Sequence, residues 1–318
     1  MEPERLRVEI GATGRNVEVW RKGKGRDVVF LHGAGGLPAW TEDLEALAQH
    51  YRLTVPIHPG FGASGGADSI EAVLDSVLHT FDVLEHLGLR QPDLIGHSMG
   101  GMLAAEMAAT SPRDVGRLAL VAPVGLWDDA HPVLDFFTMT PAELVPHIFA
   151  DLNHPLARAM AVEPSDEESL VEMYVGFIKS LAAAGRLLWP IPDRGLARRL
   201  YRVKAPTLLL WGERDGLVPP YYAEAFARRI AGAQIKMIAD ASHMVLIERP
   251  GPAVEAIVRF FEDGRAPTPR PGKKPRPAAK RGPARATASR GGGPARRRVG
   301  ASASSRRGPS AKKSKSRR

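Results

Sequence analysis

The sequence has 318 residues, 44% of them apolar, which is enough for one large α/β domain or two smaller ones. It contains no cysteine, so disulfides, cysteine nucleophiles, thiolate zinc sites and iron–sulfur clusters are excluded. The net charge of +9 is distributed unevenly between two parts of the chain. Residues 265–318 hold 19 of the 44 Lys and Arg and no acidic residue, which leaves 25 basic against 35 acidic side chains in residues 1–264.

The amino terminus, MEPER, is charged and lacks the apolar stretch of a signal peptide. No apolar run reaches the ~18 residues that a membrane span needs. We therefore expect a cytoplasmic protein with no membrane span.

Short apolar runs alternate with helical patterns along residues 1–264, which predicts strands and helices in alternation. The predicted strands are Leu6–Ile10, Val17–Trp20, Val28–Leu31, Leu53–Val55, Leu94–Ile95, Leu118–Val121, Thr207–Trp211 and Gln234–Ile238. The predicted helices are Ile70–Leu87, with Ser69 as its N-cap, Met99–Ala109 and Pro250–Phe261. This alternation predicts an α/β fold with a mostly parallel central sheet flanked by helices.

The alternation of strands and helices stops between residues 124 and 203, where the pattern is mostly helical and interrupted by prolines. An insertion at this point would lie over the carboxyl ends of the strands, where open α/β sheets bind ligands, so we interpret it as a helical cap. The predicted domains are a core of residues 1–123 and 204–264, the cap of residues 124–203, and a tail of residues 265–318. The tail has too few apolar residues to fold, which predicts disorder.

Ser98 lies in a Gly-x-Ser-x-Gly pattern, GHSMG at residues 96–100, between a predicted strand and a predicted helix. This context is typical of a nucleophile elbow, a sharp turn that presents the serine hydroxyl at a helix N-terminus. Small neighbours are needed because the turn forces strained backbone angles on the serine. A Gly- and Ser-rich turn into an ordinary helix is the alternative.

A serine nucleophile needs a base and an acid that orients the base. His243 follows the last predicted strand and is the only histidine after residue 154, which predicts it as the base. The preceding strand is followed by GERDG, residues 212–216, in which Asp215 is preferred as the acid because it lies farther from the strand than Glu213. Asp240 is a weaker alternative for the acid.

The reaction also needs donors for the oxyanion. The backbone amide of Met99, directly after the nucleophile, is one candidate. The second should come from HGAGG, residues 32–36, with Ala34 preferred and Gly35 next. The pattern lacks the Lys-Ser/Thr of a phosphate-binding loop, so nucleotide binding is not expected.

Five motifs together resemble those of serine α/β-hydrolase fold enzymes with a cap, such as esterases, lipases and carbon–carbon bond hydrolases. The motifs are His32–Gly36, Pro59–Ser64, Gly96–Gly101, Gly212–Asp215 and Ser242–His243. The resemblance that they carry extends over roughly residues 5–262. The resemblance implies Ser98 as nucleophile, His243 as base, Asp215 as acid, an acyl-enzyme and no cofactor.

The sequence departs from the family pattern at two places. Members often have an aspartate two residues before Pro-Gly-x-Gly, whereas here Pro56-Ile57-His58 precedes Pro59 and Gly60, and we interpret His58 as structural. Met244 follows His243, where carbon–carbon bond hydrolases tend to have a tryptophan, which disfavours that subclass. A carbon–carbon bond hydrolase or a perhydrolase of the same fold is the alternative to an ester hydrolase.

The predicted substrate is a small molecule with an apolar acyl or aromatic group, because ligand pockets are mostly apolar. Candidate pocket residues in the cap are Phe136, Phe137, Met139, Tyr174, Phe177 and Trp189. The basic tail predicts non-specific, salt-sensitive binding to nucleic acid or another polyanion. A binding protein on a hydrolase scaffold is therefore a further alternative.

Overall fold

The computed structural model describes residues 2–10, 14–191 and 193–263. The tail of residues 265–318 and its predicted disorder lie outside these described residues. The strands are β1 Glu4–Ile10, β2 Arg15–Lys22, β3 Asp27–Leu31, β4 Arg52–Pro56, β5 Asp93–His97, β6 Leu118–Val121, β7 Thr207–Gly212 and β8 Gln234–Ile238. The helices are α1 Glu42–His50, α2 Val73–His86, α3 Met99–Thr110, α4 Pro141–Ile148, α5 Pro155–Ala161, α6 Glu167–Leu188, α7 Tyr221–Ala227, α8 Val245–Glu248 and α9 Pro250–Glu262.

The eight strands form one sheet in the order β1-β2-β4-β3-β5-β6-β7-β8. Strand β2 is antiparallel to both of its neighbours, and all pairs from β4 to β8 are parallel. Every residue of β5, β6 and β7 is buried except His97, as expected when helices cover both faces of a parallel sheet. The predicted α/β fold with a mostly parallel sheet is confirmed.

Helix α2 begins four residues after the predicted N-cap, Ser69. That serine closes a 3₁₀ turn and its hydroxyl donates to the carbonyl of Gly66 (2.8 Å). The carboxylate of Asp75 instead accepts the N–H groups of Glu71 (3.0 Å) and Ala72 (2.8 Å), which satisfies free donors at the helix start. The expected N-cap was therefore wrong, because the serine bonds backwards along the chain.

Residues 124–203 separate β6 from β7, and we call this stretch the helical insertion. Its described residues hold α4, α5, α6 and three 3₁₀ turns, with no strand. Its end is tied to α3 by Arg199, whose guanidinium donates through two nitrogens to the buried carboxylate of Glu106. Among the described helices, none is long and apolar enough to cross a membrane.

Candidate active site

Ser98 occupies a strained turn between β5 and α3. Its φ of 54° and ψ of −115° lie in a region that non-glycine residues rarely adopt. The turn brings α3 against the end of β3, so that a Cβ on Gly100 would lie 2.1 Å from the carbonyl oxygen of Leu31. A Cβ on Gly96 would lie 2.4 Å from the carbonyl oxygen of Gly100. The glycines on either side of Ser98 are thus required by close backbone approach.

The loop after β3 packs directly on Ser98. A Cβ on Gly33, the residue before Ala34, would lie 3.3 Å from the Cβ of Ser98. Ala34 is half-buried and Gly35 is exposed. Met99 is the first residue of α3, and the first N–H groups of a helix have no acceptor within it. Of the two predicted oxyanion donors, Met99 thus belongs to the elbow, and Ala34 directly follows the residue that packs on Ser98.

Asp215 and His243 form a buried pair in the loops after β7 and β8. His243 Nδ1 lies 2.9 Å from Asp215 Oδ2, and the two residues are 3% and 5% exposed. The other oxygen of Asp215 accepts the N–H groups of Leu217 (3.0 Å) and Val218 (2.8 Å). With Nδ1–H donating to the carboxylate, Nε2 is the free acceptor of the ring.

The two alternative acids lie elsewhere. Glu213 and Asp240 are exposed, and the carboxylate bonded to His243 Nδ1 belongs to Asp215. Among the described residues, no hydrogen bond joins Ser98 Oγ to His243. Such catalytic hydrogen bonds are often long in the free enzyme and tighten with substrate.

His97, which sequence reasoning did not select, links the elbow to the base. Its ring lies 5.0 Å from that of His243, centroid to centroid, and its Nε2 lies 3.0 Å from the carbonyl oxygen of His243. Burial lowers the pKa of His97 to about 3, so the ring is neutral and donates one proton through Nε2. The only signal in the sequence was its place inside the GHSMG pattern.

His32 and His58 pack together in the loops after β3 and β4. The backbone N–H of His58 donates to His32 Nε2 (3.1 Å), and His32 Nδ1 donates to the carbonyl of Gly33 (2.9 Å). Burial lowers the pKa of His32 to about 4, which keeps the ring neutral and able to accept one bond and donate the other. His58 is buried in this position, and its ring lies 4.3 Å from that of His32.

A small apolar cavity of about 20 Å³, room for about one water molecule, lies between α3 and the helical insertion. Met102 and Val124 line it, and their backbone N–H groups donate to the carbonyl of Ser98 (3.0 and 3.3 Å). Of the predicted pocket residues, Phe136 lines this cavity. Phe137 stacks on Phe136, and Trp189 is about half exposed.

The remaining predicted pocket residues differ in their surroundings. Met139 and Phe177 are half-buried against the core, and the hydroxyl of Tyr174 bonds to Glu163 on the surface. Among the described residues, no group of three or more His, Asp or Glu could hold a metal ion.

Comparison with known proteins agrees with this architecture. The sequence model of the alpha/beta hydrolase fold matches residues 28–250. A dihydrolipoyllysine-residue acetyltransferase component of the acetoin cleaving system from Cupriavidus necator is 31% identical over 74% of this chain, which spans 64% of that relative's length. A pimeloyl-[acyl-carrier protein] methyl ester esterase from Aeromonas salmonicida is 28% identical over 77% of this chain and 99% of its own.

Among solved structures, a membrane phospholipase A described as a bacterial virulence factor superposes with a TM-score of 0.68 at 22% identity, over 81% of this chain and 86% of its own. This chain belongs to the alpha/beta hydrolase fold family and is a hydrolase of that fold.

Proposed function

We propose that the protein is a serine hydrolase that cleaves a carboxylic ester or related acyl bond through Ser98, His243 and Asp215. The observation that carries the proposal is the buried His243–Asp215 pair at the same sheet edge as a strained serine. Strained serines at a strand-to-helix turn present the hydroxyl to substrate, and an oriented imidazole supplies the base that the hydroxyl lacks.

The proposed reaction has two halves. His243 Nε2 takes the Ser98 proton while Oγ attacks the acyl carbon, and the resulting imidazolium gives that proton to the departing alkoxide. Water then attacks the acyl-enzyme by the same base, which releases the acid and restores Ser98. Asp215 stabilises the imidazolium, and the N–H groups of Ala34 and Met99 hold the oxyanion.

The proposed substrate is a small molecule with an apolar acyl or aromatic group. The apolar side chains of the helical insertion support this choice, with the insertion acting as a cap over the site. The similarity to a methyl ester esterase also supports an ester as the bond that is cleaved. Met244 after His243 supports an ester over a carbon–carbon bond.

The test is hydrolysis of p-nitrophenyl esters over a series of acyl lengths by the wild type and by Ser98→Ala. Loss of the nucleophile should lower kcat by about 10⁴-fold or more without unfolding the protein. Ser111→Ala, at the far end of α3, is the matched control and should keep full activity. A Ser98→Ala variant with a tenth of wild-type turnover or more would overturn the assignment. Turnover of a vinylogous diketone with negligible ester hydrolysis would indicate a carbon–carbon bond hydrolase.

We also propose that the basic tail binds nucleic acid or another polyanion without sequence preference. The support is its 19 Lys and Arg with no acidic residue. Lysines and arginines that neutralise phosphates release counterions, so binding should weaken by orders of magnitude between about 50 and 200 mM salt. Anisotropy of a labelled DNA duplex, measured with the full chain and with a full-length variant whose tail lysines and arginines are replaced by glutamine, tests this. Equal binding by both proteins would contradict it.

A further inference from the structure

The loops of the acid and the base are both hydrogen-bonded to the helical insertion. The carbonyl of His147 accepts the N–H of Gly216 (3.1 Å), directly after Asp215, and the hydroxyl of Ser242 (3.0 Å), directly before His243. The carbonyl of Ile148 accepts the N–H of Met244 (3.0 Å), directly after His243. The end of α4 thus holds the base from both sides and the acid from one side.

The approach is close enough to restrict the sequence. A Cβ on Gly216 would lie 3.0 Å from the carbonyl oxygen of His147 and 3.2 Å from its Cα. A side chain at that position would push α4 away from the acid loop. We call residues 147–151 the anchor segment, because His147 and Ile148 make these bonds and the N–H groups of Ala150 and Asp151 bond to Glu248.

Glu248 joins the anchor segment to the loop of the base. Its Oε1 accepts the backbone N–H groups of Ala150 (2.7 Å) and Asp151 (2.9 Å), and its Oε2 accepts the N–H of Ser242 (2.6 Å). The residue lies on α8 and is only 6% exposed. Hydrogen bonds from N–H groups to a carboxylate are stronger than those between neutral groups, so this one side chain fixes three backbone positions.

We propose that Glu248 is a positioning residue for His243, acting by clamping the residue before the base to the anchor segment of the insertion. This inference rests on the proposed function, because it assigns to Glu248 the task of holding His243 where Nε2 meets Ser98. A displacement of about 1 Å in a catalytic group can cost roughly 10²-fold in rate. Glu248 touches neither Ser98 nor the Nδ1–H of His243, so its effect must pass through the backbone of Ser242.

Asp93 provides a matched comparison at the amino ends of the strands, opposite the candidate site. It is also a buried carboxylate, 2% exposed, that accepts a backbone N–H, that of Arg117 (2.7 Å). It stands at the amino end of β5, whereas the site lies at the carboxyl ends. Loss of its charge should lower stability and leave the site geometry unchanged.

The experiment compares Glu248→Gln with Asp93→Asn in the full chain. An amide at position 248 keeps one acceptor oxygen and turns an N–H₂ group toward a backbone N–H. We expect kcat to fall about 10- to 100-fold in Glu248→Gln with KM changed less than about twofold. Asp93→Asn should lower Tm but keep kcat within about twofold. Ser242→Ala, which removes only the bond to His147, should show a smaller fall in kcat with little change in Tm.

The proton NMR line of the His243 Nδ1–H, assigned by its absence in Asp215→Asn, reads the geometry without turnover. It should shift or broaden in Glu248→Gln and stay unchanged in Asp93→Asn. Wild-type kcat and an unchanged line in Glu248→Gln would overturn the proposal, as would an equal fall of kcat in Asp93→Asn. If the wild type hydrolyses no ester, the proposed function fails on its own, and the NMR line alone decides whether Glu248 positions the pair.

Discussion

The proposed nucleophile and the proposed acid–base pair are held by different physical means. Ser98 is fixed by close backbone packing, since Gly96 and Gly100 leave no room for a side chain beside β3 and the elbow. The pair of Asp215 and His243 is fixed by hydrogen bonds, to each other and to backbone N–H groups of the neighbouring loops. The first arrangement is steric and the second is electrostatic.

The difference determines how each half should respond to substitution. A steric arrangement tolerates no added atom, because packed interiors transmit a clash to their neighbours. In a hydrogen-bonded arrangement, an isosteric substitution such as Asp to Asn exchanges one oxygen for nitrogen and keeps the shape of the side chain. The chemistry of the pair then changes while the fold is preserved. Variants of the pair should therefore affect rate, and variants of the elbow glycines should affect folding.

Within the acid–base pair, the largest effect on rate is expected from Asp215→Asn. The asparagine amide can still accept from Leu217 and Val218, but its N–H₂ group cannot accept the Nδ1–H of His243. The ring then takes the tautomer that is useless as a base, so kcat should fall about 10⁴-fold. Ester hydrolysis and Tm are measured together. Glu213→Gln, two residues away and exposed, should keep wild-type kcat, and an equal loss in both variants would show that the acid is misassigned.

The largest effect on stability is expected from Gly100→Ala. The new Cβ would overlap the carbonyl oxygen of Leu31, so the elbow helix must move, at a cost of about 3 kcal/mol or more. Gly176→Ala in α6 is the control, since nothing lies within 4 Å of its Cβ position, and it should stabilise by about 0.5–1 kcal/mol. Urea unfolding of both variants measures whether Gly100→Ala lowers the free energy of unfolding and Gly176→Ala raises it. A Gly100→Ala protein as stable as the wild type would contradict the steric account.

Acid should lower the free energy of unfolding through buried histidines before it protonates most carboxylates. Burial lowers the pKa of His32 and His79 to about 4 and that of His97 to about 3, from a usual value of 6.5. Below pH 6.5 these histidines are protonated in the unfolded chain but stay neutral in the folded protein, so the free energy of unfolding falls as pH falls toward 4. Above pH 6.5 these histidines contribute no pH dependence.

For each such histidine, the slope of the free energy of unfolding against pH approaches about 1.4 kcal/mol per pH unit. Urea unfolding at intervals from pH 7.5 to 5 measures it. His79→Gln should remove one histidine's share of the slope, because its ring is buried on α2 beside Arg15, away from the triad. An unchanged slope in this variant would contradict a neutral, buried His79.

How much of this could be predicted from the sequence depended on distance along the chain. The elbow is a local pattern, GHSMG, and the loops of Asp215 and His243 follow strands whose apolar runs are plain. Helix α1 was missed because its buried face is short, with Leu44 and Leu47 as its large residues. Glu248 could not be found either, since its partner Ala150 lies 98 residues earlier and only the fold joins them.

The same contrast predicts a smaller effect where the insertion meets the elbow helix. Glu106 is buried on α3, eight residues after Ser98, and receives two bonds from Arg199 at the end of the insertion. Glu106→Gln should lower stability by about 1–2 kcal/mol, less than a fully buried pair would lose, because Arg199 keeps contact with water. Since α3 is held at its start by packing rather than by this pair, kcat should stay within about twofold of the wild type. Urea unfolding and ester hydrolysis measure both quantities. A large fall in kcat would mean that the elbow, too, depends on the ion pair of Glu106 and Arg199, and the division between the two halves of the site would be lost.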